Sequence, residues 1–146
     1  MRLVDANVLL YAVDEDAQHH AASRRWLDEA LSGGDAVGLS WIAMLAFVRL
    51  TTKVGLYPNP LTVGEAMDQV EAWIATPGAQ VVHPTSTHGQ TLARLLGEVG
   101  SGGNLVNDAH LAAMAVEQRA AVVSYDNDFD RFSGVRRSTP EDLLTR

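Results

Sequence analysis

Short apolar runs alternate along this chain with longer segments of helical periodicity, and that alternation constrains the fold more than any other feature. Leu3-Val4 is the first run and ends at Asp5. Asn7 is expected to cap a short helix that runs to Val13. Residues 18–32 place Ala22, Trp26, Leu27, Ala30 and Leu31 on one helical face, and Gly33-Gly34 stops the helix. Ala36 to Leu39 reads as a second strand. Ser40 is placed to cap a helix over about 41–54, which is apolar nearly all round and so expected to be deeply buried. Thr62 with Glu65 three residues on is a capping-box pattern for a helix to about Thr76. A third strand is expected at Gln80–His83, helices at 87–99 and from Asn104 to about Arg119, and a buried strand at Ala120–Ser124. Val135-Arg136 is a candidate last strand, and Pro140–Leu144 a single closing turn. Strands alternating with helices imply an α/β fold with a parallel sheet covered on both faces.

At 146 residues this is one domain's worth of chain, taken as a single domain over residues 1–146. The apolar fraction of 47% with only 20% charged residues is that of a globular protein, not a disordered one. There are no cysteines, so any metal must be held by oxygen or imidazole. Asp5 interrupts the apolar start, which argues against a signal peptide. No apolar run approaches the roughly 20 residues that span a bilayer. A cytoplasmic location is therefore expected, without membrane association.

The net charge of −7 argues against a broad basic face for nucleic acid. Bound divalent cations would offset part of it. Ten of the eleven basic residues are arginine, with pairs at Arg24-Arg25 and Arg136-Arg137, and the guanidinium fork suits phosphate oxygens. The alternative is that these arginines are solvated surface.

In parallel α/β sheets, reactive groups gather outside the carboxyl ends of the strands. Asp5 follows the first strand, Asp126 follows the strand at 120–124, and Asp108 lies in the first turn of the helix that feeds that strand. All three acids are thus expected at one sheet edge. Carboxylates packed together repel one another, so either one takes a proton or a cation binds. Hard oxygen ligands suit Mg²⁺ or Mn²⁺, which can activate water and stabilise the leaving oxygen of a phosphodiester. Each acid also has a structural reading: Asp5 as a helix cap, Asp108 as a complement to the helix dipole, Asp126 as a turn residue. The five histidines show no metal-ligand spacing such as HxxxH, and His110 reads as packed or surface rather than as a base.

With these residues in place, the chain resembles the PIN domains, and among them the VapC toxins of bacterial toxin–antitoxin pairs. The resemblance rests on Val4-Asp5-Ala6-Asn7-Val8-Leu9-Leu10, on Gly103 through Ala113 around Asn107-Asp108, and on Val123-Ser124-Tyr125-Asp126-Asn127-Asp128-Phe129. Ala46-Phe47-Val48-Arg49-Leu50 and Asn59-Pro60-Leu61-Thr62 add to it. It implies an α/β fold built as a three-layer α/β/α sandwich with a short, mostly parallel sheet, and an endoribonuclease dependent on Mg²⁺ or Mn²⁺, acting on tRNA or rRNA, inhibited by a cognate VapB-type antitoxin and assembling as a homodimer. Carried over, Asp5, Asp108 and Asp126 are the catalytic acids and metal ligands, Asp128 is an accessory ligand, and Asn7 and Arg49 are candidate substrate contacts. One position departs from the pattern. The glutamate most of the family carries five residues before the arginine is Met44 here, and residues 41–54 contain no acid at all.

Two rival readings remain at this point. A phosphohydrolase with an aspartyl nucleophile wants DxD after the first strand, where this chain has Asp5-Ala6-Asn7. A binding module of the same fold that has lost catalysis would fit the missing glutamate.

Overall fold

The alternating runs become five strands in a computed structural model that describes residues 1–145. In chain order these are β1 (Arg2–Val4), β2 (Val37–Ser40), β3 (Ala79–Val82), β4 (Ala121–Val123) and β5 (Arg137–Ser138). They lie in the order β3-β2-β1-β4-β5, and every pairing is parallel. The sheet is therefore wholly rather than mostly parallel. β5 falls two residues later than the expected Val135-Arg136. It is a polar Arg-Ser pair held by its ladder to β4, not by apolar content.

Seven α-helices among the described residues cover the two faces: α1 (Ala6–Val13), α2 (His20–Glu29), α3 (Trp41–Thr51), α4 (Val63–Ile74), α5 (His88–Val99), α6 (Leu105–Glu117) and α7 (Pro140–Leu144). Successive strand residues point to opposite faces. Val4, Val37, Leu39 and Val123 accordingly pack with Val8, Leu9, Leu27, Phe47 and Trp73 from α1 to α4. Leu3, Val82 and Val122 face the other way, onto Leu95 of α5, Ala109, Ala112 and Met114 of α6, and Phe129. This is the three-layer α/β/α sandwich. None of the helices among the described residues is long and apolar enough to cross a membrane.

Several local expectations change. The first helix is capped by Asp5, whose Oδ1 accepts from Ala6 N at 2.8 Å, so Asn7 lies inside the helix and its side chain is free for other work. α2 ends at Glu29, and Ala30–Gly34 widens into a π turn with Gly33 at φ 108°, a conformation that favours glycine. α3 stops at Thr51, not 54. It buries Ala43, Met44 and Phe47 but leaves Trp41 and Leu45 exposed, so it is not buried all round. Gly78 marks a close approach: a Cβ there would sit 2.4 Å from Ala30 O and 2.9 Å from Asp35 O.

The path after β3 is also settled. His88 at the start of α5 meets Glu117 at the end of α6, so α5 and α6 run antiparallel. The turn at Gly100, a left-handed cap with φ 65°, returns the chain to the carboxyl edge, where α6 begins. The Thr62–Glu65 capping box is present in full at the start of α4. Thr62→Ala removes the acceptor for the Glu65 N–H and should cost about 1 kcal/mol of stability, read as a shift in the urea midpoint with an unchanged slope.

Candidate active site

Parallel strands deliver the chain to one edge, and three segments meet there. Asp5 leaves β1, and its N–H bonds to Val123 O of the neighbouring β4 at 3.0 Å. The stretch from Ser124 to Asp128 leaves β4 and enters a 3₁₀ turn at Asn127–Arg131. Asp108 sits in the first turn of α6. One carboxylate oxygen from each of Asp108, Asp126 and Asp128 lies within 4.8 Å of the others, and all three residues are half-buried. The tight group thus contains Asp128, the expected accessory, and has Asp5 beside it rather than within it.

The reason is where the Asp5 carboxylate is held. Its Oδ1 caps α1, and its Oδ2 accepts from Ser124 Oγ at 2.7 Å and from Asn7 Nδ2 at 3.3 Å. Ser124 is fully buried, and its hydroxyl is a hub. It donates to Asp5 and accepts from Asn7 Nδ2 at 3.1 Å and from Asp126 N at 2.9 Å. Asn7 closes the ring by accepting from Tyr125 N at 3.2 Å. Asp126 in turn accepts from Asp128 N at 2.9 Å, which starts the 3₁₀ turn. Ser124, which sequence reasoning passed over, therefore sets the spacing between Asp5 and Asp126. Its hydrogen-bonding capacity is spent, so it is a fixed strut and not a nucleophile.

The electrostatics bear the stamp of this crowding. Burial first, then the negative charges of Asp126, Asp5 and Asp128, push the Asp108 carboxyl up to about 6. Burial also raises Asp5; the hydrogen bonds from Ser124 and Ala6 pull it back, and Asp126 adds a small rise. Four carboxyl groups held this way form an all-oxygen, negatively charged donor set. A hard divalent cation fits such a set, and it would relieve the repulsion that otherwise favours a proton on Asp108.

The other candidates are more dispersed. Arg49 is exposed in the last turn of α3 and makes no ion pair among the described residues. Met44 is fully buried in the core. His110 is packed against α5: its Nδ1 lies 2.8 Å from His88 Nε2, and His88 in turn bonds Glu117. Burial and His88 together hold the His110 imidazole below its ordinary range. Of the two readings of the Arg24-Arg25 pair, solvated surface is the one the structure supports. Both arginines pair with acids one turn on, Arg24 with Asp28 and Arg25 with Glu29. Arg137 is spent on a two-pronged contact with Asp130 and on Ser124 O.

Comparison with known proteins gives the family of the chain. The PIN domain family matches residues 2–135. The chain is 60% identical to "Ribonuclease VapC37" of Mycobacterium tuberculosis over 144 residues, covering 99% of this chain and 100% of that one. It is 39% identical to "Ribonuclease VapC31" of the same species, covering 96% and 99%. Among solved structures it is similar in fold to VapC20 of M. tuberculosis, described as a sarcin–ricin loop cleaving toxin, with a TM-score of 0.67 at 16% identity, covering 93% and 99%. It is likewise similar to VapBC2 of Rickettsia felis bound to promoter DNA, with a TM-score of 0.68 at 14% identity, covering 94% and 97%. The chain belongs to the PIN-domain family, among the VapC ribonucleases.

Proposed function

We propose that this ribonuclease is a metal-dependent toxin in which Asp108, Asp126 and Asp128 hold Mg²⁺ or Mn²⁺, with Asp5 held beside them, and that residues 1–146 act as one nuclease domain. The observation that carries the reading is the three-aspartate group within 4.8 Å, in which the Asp108 carboxyl is pushed up to about 6. When bound, a divalent cation of this kind supplies charge neutralisation and a lowered pKa for water. The chain's own residues do the positioning. Asn7 and Ser124 fix the Asp5 carboxylate, and Ser124 ties the Asp126 backbone to the same point. Exposed Arg49 is free to meet a phosphate of the substrate.

The expected substrate is RNA, of the tRNA or rRNA class. The expected partners are a cognate VapB-type antitoxin and a second copy of the chain. VapBC complexes among the solved structures of similar fold support an antitoxin, and the net charge of −7 favours a basic segment laid over the acidic edge. Exposed Trp41 and Leu45, one turn apart on α3, offer apolar area for an interface. The test of the reading is cleavage of RNA by the purified protein. Cleavage should require millimolar Mg²⁺ or Mn²⁺ and stop with chelator, and undiminished cleavage in chelator would overturn it.

A further inference from the structure

Beside the acids, on the α1–α2 side of the same sheet edge, three aromatic rings are gathered from distant parts of the chain. Tyr125 follows β4 and immediately precedes Asp126. His19 lies at the start of α2 and stacks on Tyr125, with ring centres 4.1 Å apart and planes 22° apart. Tyr11 of α1 walls the stack, 5.9 Å from His19 and 5.4 Å from Tyr125. The stack is braced from below. Tyr125 Oη donates to Glu141 Oε2 at 2.9 Å and lies 3.1 Å from buried Ser23 Oγ, while His19 Nδ1 bonds Glu141 Oε1 at 3.0 Å. The His19 side chain still leaves 37% of its surface in solvent. The ring is therefore within reach of a partner from solvent.

The charge distribution says what that partner is. Glu141 holds a carboxylate against both His19 and Tyr125, and Asp14, Glu15 and Asp16 precede His19 in the sequence, so the stack does not invite a phosphate. The arginine pair of α2 is spent on Asp28 and Glu29. Backbone attraction is therefore weak, and affinity for a strand has to come from neutral contacts. A nucleobase is a flat, neutral group that gains from stacking on an aromatic ring whatever its sequence. We propose that His19, laid on Tyr125 and walled by Tyr11, is a stacking platform for an unpaired base of the RNA, next to the cation site to which Asp126, the residue after Tyr125, belongs. This rests on the metal-centred reading of the acids, because that reading fixes where the phosphate sits.

Three variants separate stacking from bracing. His19→Ala removes the ring, His19→Phe keeps a ring without the bond to Glu141, and His19→Gln keeps a hydrogen-bonding group without the ring. Steady-state cleavage of a single-stranded RNA oligonucleotide in Mg²⁺ is the readout, with a thermal melt of each variant. KM should rise about 5- to 100-fold in His19→Ala and His19→Gln with little change in kcat, and should return close to the wild-type value in His19→Phe. An oligonucleotide with one abasic residue, moved along the positions flanking the cleaved bond, should raise KM for the wild type at one position and leave His19→Ala indifferent there. If KM is unchanged in His19→Ala, or is restored by Gln and not by Phe, the platform does not exist and His19 only braces α7. If the wild type itself cleaves no RNA in Mg²⁺ or Mn²⁺, the metal-centred reading fails first and takes this one with it.

Discussion

Asp126→Asn should lower kcat by more than about 100-fold while leaving the protein folded. The side chain has two jobs that the substitution separates. Its Oδ1 accepts from Asp128 N to start the 3₁₀ turn, and an asparagine carbonyl does that equally well. Its charge belongs to the three-aspartate group, and asparagine cannot supply it. Changes in groups that only support a metal site typically cost 10–100-fold, so loss of a ligand itself should cost more. Asp14→Asn is the matched control: Asp14 also accepts from an N–H two residues on, with Asp16 N at 3.1 Å, but far from the acids in the sequence motifs. Initial rates on RNA in Mg²⁺, with circular dichroism of each variant, decide the matter. Similar losses in both variants would mean that a general charge effect, not a site, had been measured.

The contrast between Asp126 and Ser124 shows what was legible in the sequence and what was not. The acids could be placed because each follows a strand or opens a helix, and topology alone brings such positions to one edge. The same logic found the Thr62 and Ser40 caps, since their signals lie within four residues of each other in the chain. Ser124 was invisible because its role is made by partners far away in sequence. Asp5 is 119 residues off, and a buried serine at a strand end has no local pattern that announces a hub. The swap of Asp5 for Asn7 as the cap of α1 has the same origin. Both are good capping residues, and only the neighbouring strand, by fixing the Asp5 N–H on Val123 O, decides between them. Likewise the apolar sequence of α3 says nothing about Trp41 and Leu45 staying exposed, because that depends on which neighbours cover the helix. The arginine pair on α2 had two readings, phosphate cluster or solvated surface, and the structure supports the second. Its acids stand four residues on in the sequence, so an i,i+4 reading would have assigned Arg24 and Arg25 to the helix surface.

Asp108→Asn should make the metal-free protein more stable and the metal-loaded protein comparatively less so. The sign follows from the carboxyl group's position at about 6, above its ordinary 3.8. Between those values the folded protein holds a proton that the unfolded chain has released, so stability falls as pH rises through this window. Above about pH 6 the full cost of the charged Asp108 is present, and below about pH 4 it is gone. Because Asp108 is only half-buried, solvent screening brings that cost down to about 1 kcal/mol. Loss of a charge that complements the start of α6 works against the gain, by about 0.3–1 kcal/mol. Burial of the charge, together with repulsion from three neighbouring acids, should outweigh it, so the variant melts higher than the wild type at pH 7.5 in chelator and level with it near pH 4. Mg²⁺ reverses the order. At a concentration 100 times its Kd it adds about 2.7 kcal/mol to the wild type and much less to a variant that has lost a ligand. Melts of both proteins at the two pH values, with chelator and with Mg²⁺, test every step. A metal-free variant that melts lower, together with a wild-type melt that Mg²⁺ leaves unmoved, would reduce Asp108 to a helix-start residue and remove the ground for a shared metal site.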